Sequence, residues 1–454
     1  MTVERARSTT SALELVDAGL QLASRRGRLS PPSPGIAIVS GDELVVGVDA
    51  ECSARLKPRS LHSRFWQELG TAPLGRPFPS HLRTADLAHA HLQTVWDAVD
   101  GGAKEVMIAV PGVYSDDQLA LLLGIAAELQ IPVRGLVDAA VAAAADREVA
   151  RHCLHLDLHL HRAVLTELEH DEEIIRKAVH TEPGVGLLDL RDAWARVIAQ
   201  TFVRATRFDP LHLAATEQVL YARLSDFLEA LATSESTRAR IASGGRQHAV
   251  ELERTRIIDA VVPAYDILSS LVSDHTHADG TTLLLSHRAV ALPGLLDRFS
   301  KLAGLTVVAL HPAAAAAGAL AHADRIRSSG SALPFVTRLP GHDARPPGPV
   351  TVAVSPPEDN ARHTPTHLVM DGIAHRIGSE ELVLDPGGAP EAVNRDRPLA
   401  TVCRVAGQVV VDAAVGAGVT INGEPLEGRA ILVAGDRLRL GAFDRQILVV
   451  TMVA

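Results

Sequence analysis

At 454 residues the chain has the length of two to four domains. Its 47% hydrophobic and 22% charged composition is that of a globular protein, not of a fibrous or disordered one. The three cysteines, Cys52, Cys153 and Cys403, are too few and too scattered for a disulfide framework and suit a reducing compartment, and 54 acidic against 44 basic residues leave a formal charge of −10, which excludes a general phosphate-backbone binder. No nucleic-acid partner is expected. No segment reaches the roughly 18 uncharged apolar residues of a membrane span. The opening MTVERARSTT lacks the apolar core of a signal peptide. The expectation is a soluble, cytoplasmic protein with no membrane partner.

In chain order, residues 11–24 read as strand, with Leu13, Leu15, Leu20 and Leu22 on either side of Asp17-Ala18-Gly19, and a turn at 25–27 makes a hairpin. Residues 35–39 and 43–46 read as a second pair around Ser40-Gly41-Asp42, where Gly41 suits a positive φ. The pattern over 87–99 is helical. EVMIAV at 105–110 is a short, nearly continuous apolar run, as expected of a strand covered on both faces. Pro111-Gly112 ends it, and Ser115-Asp116-Asp117-Gln118 matches a capping box for a helix reaching about residue 130. Residues 131–136 read as the next parallel strand, completing a βαβ unit.

Residues 153–167 read as a further strand pair. Here Cys153, His155, Asp157, His159 and His161 alternate with Leu154, Leu156, Leu158 and Leu160, which places the five polar residues on one strand face. Positions i and i+2 lie about 7 Å apart, so two could share a metal but five could not converge. The reading preferred is a polar face lining a wet cleft between two lobes, with no metal site assigned.

Residues 187–231 read as helix, 244–255 as a β excursion and 256–273 as helix. Strand 282–286, helix 292–302, strand 305–310 and helix 312–324 then repeat a strand–helix alternation. Residues 328–350 carry five prolines (Pro334, Pro340, Pro346, Pro347, Pro349) among glycines and read as a linker. Beyond it, 351–454 reads as short strands with turn signals, an all-β module.

This order of segments resembles the nucleotide-binding domain of DnaK-type heat-shock chaperones, within the actin, sugar-kinase and chaperone ATPase superfamily. Five places carry the resemblance. Val16-Asp17-Ala18-Gly19 is similar to the first phosphate loop, Val110-Pro111-Gly112 to the segment before the capped helix, and Val137-Asp138-Ala139 onward to the first connecting helix. Residues 154–164 stand at the second phosphate hairpin, and 285–293 followed by 311–321 at the adenosine loop and second connecting helix.

The resemblance implies an α/β two-lobed actin-like ATPase fold over 1–327, with duplicated ribonuclease-H-like subdomains and a helical lobe. It implies nucleotide contacts at Asp17, Gly19, Asp157, Ser286 and Gly318, with Asp17 and Asp157 ordering the metal's waters. The family's glycine-rich loops are altered here. Leu20-Gln21 replaces the small hydroxyl residues, Asp157-Leu158-His159-Leu160-His161-Arg162 replaces the Asp-x-Gly-Gly-Gly-Thr stretch, and Ser286-His287-Arg288 replaces Gly-Gly-Ser. Backbone amides approach phosphate oxygens only where side chains are absent, so the nucleotide site reads as degenerate and no catalytic residue is assigned.

The last segment resembles a forkhead-associated domain. Arg376-Ile377-Gly378-Ser379, the turn around Asn422-Gly423, and Gly435-Asp436-Arg437-Leu438-Arg439-Leu440-Gly441 carry the likeness. It implies a β-sandwich over 351–454 with a phosphopeptide-like face at Arg376, Ser379, Arg404 and Asn422. Ser379 stands where the family has its phosphate-binding arginine, and arginine's charged donor fork is what a phosphate selects.

The combined expectation is a chaperone-like, non-catalytic binding or scaffold protein that docks folded proteins through its sandwich and needs no cofactor. The substrate basket and lid of DnaK-type chaperones have no counterpart in the sequence. The two alternatives are an ATP-dependent chaperone-like switch, which would be an ATP hydrolase using ATP/ADP with Mg²⁺, and a phosphothreonine-reading adaptor.

Overall fold

The computed structural model describes residues 10–24, 29–41, 43–98, 103–328, 333–341, 365, 367–370, 373–377, 382–384, 399–405, 408–414, 418–421, 424–426, 428–433, 436–440 and 446–450. The chain divides into two compact units. One comprises Met1–Gly27, Pro32–Asp97 and Gly101–Ala344; the other comprises Arg345–Ala454 with the short pieces Arg28–Pro31 and Ala98–Asp100.

The first unit opens with antiparallel strands β1 (Thr10–Glu14) and β2 (Gln21–Ser24), joined through the turn at Asp17-Ala18. Strands β3 (Ala37–Ser40) and β4 (Glu43–Val46) form the next hairpin, with Gly41 at φ +63° in its turn. After the short helix α1 (Gly47–Glu51), strand β5 (Leu61–His62) adds to β3. Helix α2 (Thr84–Asp97) leads to β6 (Glu105–Val110), whose last five residues are all buried, as its unbroken apolar run requires. Helix α3 (Asp116–Glu128) starts at the capping box: the Ser115 hydroxyl accepts from Gln118 N, and Gln118 Oε1 accepts from Ser115 N. Strand β7 (Val133–Asp138) then pairs parallel to β6.

After α4 (Ala139–Ala144) comes a three-stranded meander, β8 (His152–Leu158), β9 (Arg162–His170) and β10 (Glu173–Pro183). The stretch read as one helix is two, α5 (Leu187–Thr206) and α6 (Ala214–Thr233), because Arg207 turns left-handed at φ +59° and Pro210 follows. Hairpin β11 (Ser236–Ser243) and β12 (Arg246–Glu253) turns tightly at Gly244-Gly245, both at positive φ. Helices α7 (Arg254–Asp259) and α8 (Val262–Asp274) follow. Strand β13 (Thr281–Leu285), short helices α9 (His287–Val290) and α10 (Leu295–Phe299), strand β14 (Leu305–Ala309), and helices α11 (Ala314–Ala321) and α12 (Ala323–Ile326) complete the alternation.

Part of the stretch that composition marks as linker is built into this unit. Strand β15 (Phe335–Val336) pairs with β7, and β16 (Arg338–Pro340) pairs with β10. Pro340 ends its edge strand, a position where the missing N–H is tolerated.

Two main sheets result, ordered β15-β7-β6-β1-β2 and β14-β13-β8-β9-β10-β16. Their centres repeat one plan. The first strand of each half (β1, β8) pairs antiparallel with its hairpin partner on one side and parallel with a later strand on the other. A large apolar cluster lies between the second sheet and the helices α5, α6 and α8, around Leu156, Leu165, Trp194, Phe202, Leu224 and Tyr265. Among the described residues no helix is long and apolar enough to cross a membrane.

The described residues of the second unit are all strand and connecting turn: β17 (His367–Met370), β18 (Ile373–Arg376), β19 (Leu382–Leu384), β20 (Ala400–Val405), β21 (Gln408–Ala413), β22 (Thr420–Ile421), β23 (Glu424–Pro425), β24 (Gly428–Leu432), β25 (Arg437–Arg439) and β26 (Gln446–Val450). They form two antiparallel sheets, β18-β17-β26-β25-β22-β23 and β19-β20-β21-β24. One core joins them: Leu368 and Leu438 from the first sheet pack with Val402, Val411 and Leu432 from the second. Apolar side chains from two sheets meeting in one layer are the packing of a sandwich.

Candidate functional site

The loops singled out in the sequence converge where β1, β8 and α9 meet. Strand β8 carries Leu154, Leu156 and Leu158 into the large apolar cluster, so its alternate residues point the other way. That other face is dry, contrary to the wet-cleft expectation. His155, Asp157 and His159 are 6%, 5% and 2% exposed. The strand also ends at Leu158, so His159 and His161 belong to the β8–β9 turn rather than to a continuous polar face. His161 leaves the group altogether, with its Nε2 2.9 Å from Ser63 Oγ.

The centre of the site is Arg288, on the four-residue helix α9. Its Nε and Nη2 donate to Asp157 Oδ1 and Oδ2 at 2.9 and 2.7 Å, a bidentate pair, and Nη2 also donates to Glu14 Oε1 at 2.9 Å. Glu14, on β1, accepts from Ala315 N at 3.2 Å through its other oxygen. Burial opposes ionisation of Asp157, but the guanidinium outweighs it and holds the carboxyl well below the usual carboxylate range. The same attraction drives the Arg288 pKa up despite burial. Removed from water, such a triad stands on its geometry and hydrogen bonds, since desolvation takes back much of the Coulombic gain.

The second aspartate is engaged as well. Asp17 Oδ1 receives His159 Nδ1 at 3.0 Å and Leu160 N at 3.1 Å. Against the cost of burial, these two donors and Arg162 keep the carboxyl below its ordinary value. Asp17 Oδ2 and His159 Nε2 are buried with no partner among the described residues. His155 lies against Asp157, yet burial dominates and lowers its pKa to about 4, so it is neutral near pH 7.

The turn itself is clamped. His159 N donates to Arg162 O, while Leu187 N and Leu188 N donate to His159 O and Leu160 O. This lays the start of α5 directly on the loop. A Cβ at Gly186 would stand 2.5 Å from the His161 and Arg162 backbone, so only glycine fits there.

Of the residues assigned from the sequence, Asp157 and Ser286 line one small cavity together with Glu14, His155, His287 and Arg288. Asp17 joins this group through the His159 side chain, which bonds Asp17 and lies within electrostatic reach of Asp157. The Ser286 hydroxyl caps α9, accepting from Ala289 N. Gly19 and Gly318 are not among the lining residues. Gly19 packs on Pro32, and Gly318 sits where α11 crosses α4, a Cβ there falling 1.8 Å from Ala142 O. The cavity holds about 10 Å³, room for a single water. Magnesium needs free carboxylate oxygens and nucleotide phosphates need open amides. Here Arg288 holds both oxygens of Asp157, and His159 and Leu160 N hold Asp17 Oδ1, leaving of the two aspartates only the buried Asp17 Oδ2 free, so these residues do not fit that group in this arrangement.

Sequence reasoning passed over Glu14 and the role of Arg288 as its partner. The signal available was a lone acid at the end of the first strand and an arginine in place of a phosphate-loop residue. In the second unit, Arg404 Nη2 donates to Pro365 O at 2.7 Å. Ser379 and Asn422 lie outside the described residues, and Arg376 is described only as backbone of β18. No protein-family model matches this chain, and no curated protein matches it.

Proposed function

We propose that this chain is a chaperone-like, non-catalytic binding or scaffold protein, with a degenerate nucleotide site and a C-terminal sandwich that docks folded protein partners in the cytoplasm. The observation that carries the reading is the Arg288 guanidinium seated on both Asp157 and Glu14, with His159 on Asp17. At the two aspartates to which the resemblance gives a hydrated metal, the chain's own donors stand instead, Arg288 at Asp157 and His159 at Asp17. The repeated strand plan of the two main sheets supports the duplicated two-lobed fold. The two-sheet core of the second unit supports a sandwich used for docking, and the overall acidic balance favours partners with basic faces.

Calorimetric titration of the full chain with Mg-ATP and Mg-ADP is expected to give no binding heat, and millimolar Mg-ATP no change in melting temperature. A ligand that binds the native state must raise its stability. A clear rise in melting temperature, or ATP turnover, overturns this reading in favour of the ATP-dependent switch. For the sandwich, an array of phosphothreonine peptides is expected to show no preference over the unphosphorylated set; a consistent preference replaces general docking with phosphothreonine reading.

A further inference from the structure

A second cluster lies elsewhere in the first unit, on side chains from three separate elements. Glu167 is on β9, His180 on β10, and His275 is the C-terminal cap residue of α8, which packs on β9. Glu167 Oε1 lies 2.6 Å from His180 Nε2 and 2.8 Å from His275 Nδ1. The two imidazoles stack, with ring centroids 3.9 Å apart and planes 29° from parallel. The three donor atoms all lie within 4.8 Å of one another. The side chains are about a quarter to a third exposed, at 27%, 33% and 25%, so an ion has a path in and water can reach the group.

Two imidazole nitrogens and a carboxylate oxygen are a donor set for borderline first-row divalent cations. Bonds of about 2.0–2.2 Å in tetrahedral geometry place donor atoms roughly 3.3 Å apart. The present spacings of 2.6 and 2.8 Å need to open by about half an ångström, within reach of small side-chain rotations. As the cluster stands, one carboxylate oxygen takes an N–H from each of two stacked rings. A divalent cation takes the place of both hydrogens, each neutral ring carrying its one proton on its other nitrogen, so that two nitrogen lone pairs and the carboxylate oxygen meet at one centre.

We propose that Glu167, His180 and His275 bind one divalent cation of the Zn²⁺ class, with water at the open position, and that the ion ties the end of α8 to the β9–β10 hairpin. The site is independent of the nucleotide-like cleft and of its proposed loss of function. A neighbouring imidazole pair, His152 and His277, stacks at 3.7 Å and supplies the control for non-specific histidine binding.

The test is titration of the metal-stripped full chain with Zn²⁺ by calorimetry, with Co²⁺ as an absorption probe of coordination. One equivalent is expected to bind and to raise the melting temperature. His180→Ala, His275→Ala and the near-isosteric Glu167→Gln should each weaken binding by at least about tenfold and abolish the melting shift. His152→Ala and His277→Ala should leave affinity within about twofold, since they keep all three ligands. Wild-type binding that is unsaturable, or that survives His180→Ala with His275→Ala, overturns the site; so does loss of binding in the His152 or His277 variants. Should an alanine variant fail to fold, Glu167→Gln alone decides.

Discussion

The Arg288 guanidinium meets both oxygens of Asp157, Nε to Oδ1 at 2.9 Å and Nη2 to Oδ2 at 2.7 Å, across 131 positions of sequence. Arg288→Ala strips two buried carboxylates, Asp157 and Glu14, of their shared cation. The expected loss is about 3–5 kcal/mol, read from urea unfolding. The triple replacement Glu14→Gln, Asp157→Asn, Arg288→Met removes the charges together and is expected to lose less than the single variant. A triple variant weaker than Arg288→Ala would reject this account.

Two buried histidines set a pH dependence. Trp66 Nε1 donates to His91 Nδ1 at 2.9 Å, so that nitrogen must stay unprotonated, and Nε2 faces Ser33 Oγ at 2.8 Å. Burial lowers the His91 pKa to about 3 and that of His155 to about 4, from 6.5. Below pH 6.5 the unfolded chain takes up protons that the native state refuses, so stability falls with falling pH until each folded value is reached. Asp157 adds in the same direction at lower pH, because its folded pKa is also depressed. From pH 7 to pH 4, His155 alone accounts for a loss of about 3 kcal/mol. Unfolding free energies that stay flat across pH 7 to 4 would contradict both assignments.

Two glycines on helices should answer alanine in opposite directions. Gly318→Ala drives a Cβ into the Ala142 carbonyl and forces α4 and α11 apart, a destabilisation of about 1–3 kcal/mol or more. Gly124, on the exposed face of α3, has nothing within 4 Å of the added carbon. Gly124→Ala should stabilise the chain by about 0.5–1 kcal/mol, and paired thermal melts decide both.

A seam joins the segment after α1 to helices α5 and α6. Arg55 stacks 3.5 Å above the Tyr221 ring and donates to Asp192, which also accepts from Tyr221 Oη. These groups are partly exposed, so Arg55→Ala is expected to lose only about 1–2 kcal/mol, and less at high salt. A salt-independent loss would mean that packing rather than charge holds the seam.

Local signals were legible along the sequence where one physical cause acts alone. The apolar run of β6, the Ser115 cap and the Gly41 turn need nothing from distant residues, and each stands where its pattern placed it. Strand β10 was not legible, because most of its residues are partly exposed and carry no apolar run or clean alternation. Strands β15 and β16 hide in a proline- and glycine-rich stretch, and only pairing with β7 and β10 makes them strands. In the candidate site the aspartates could be named, but not their partners. Glu14 and Arg288 lie 274 positions apart, and Glu167 and His275 more than a hundred, separations that only the folded sheet order closes. The alternation of β8 told which residues share a face without telling whether water reaches it.

The contact at Gly186 gives the β8–β9 turn a mechanical property. Because Leu187 and Leu188 donate their amides to His159 O and Leu160 O, the turn cannot swing outward from the start of α5 without breaking both bonds. Any widening around Asp17 must therefore break these two bonds and bare two helix-end amides, so slow deuterium uptake at Leu187 and Leu188 would measure how rarely the chain lets go of its own interior.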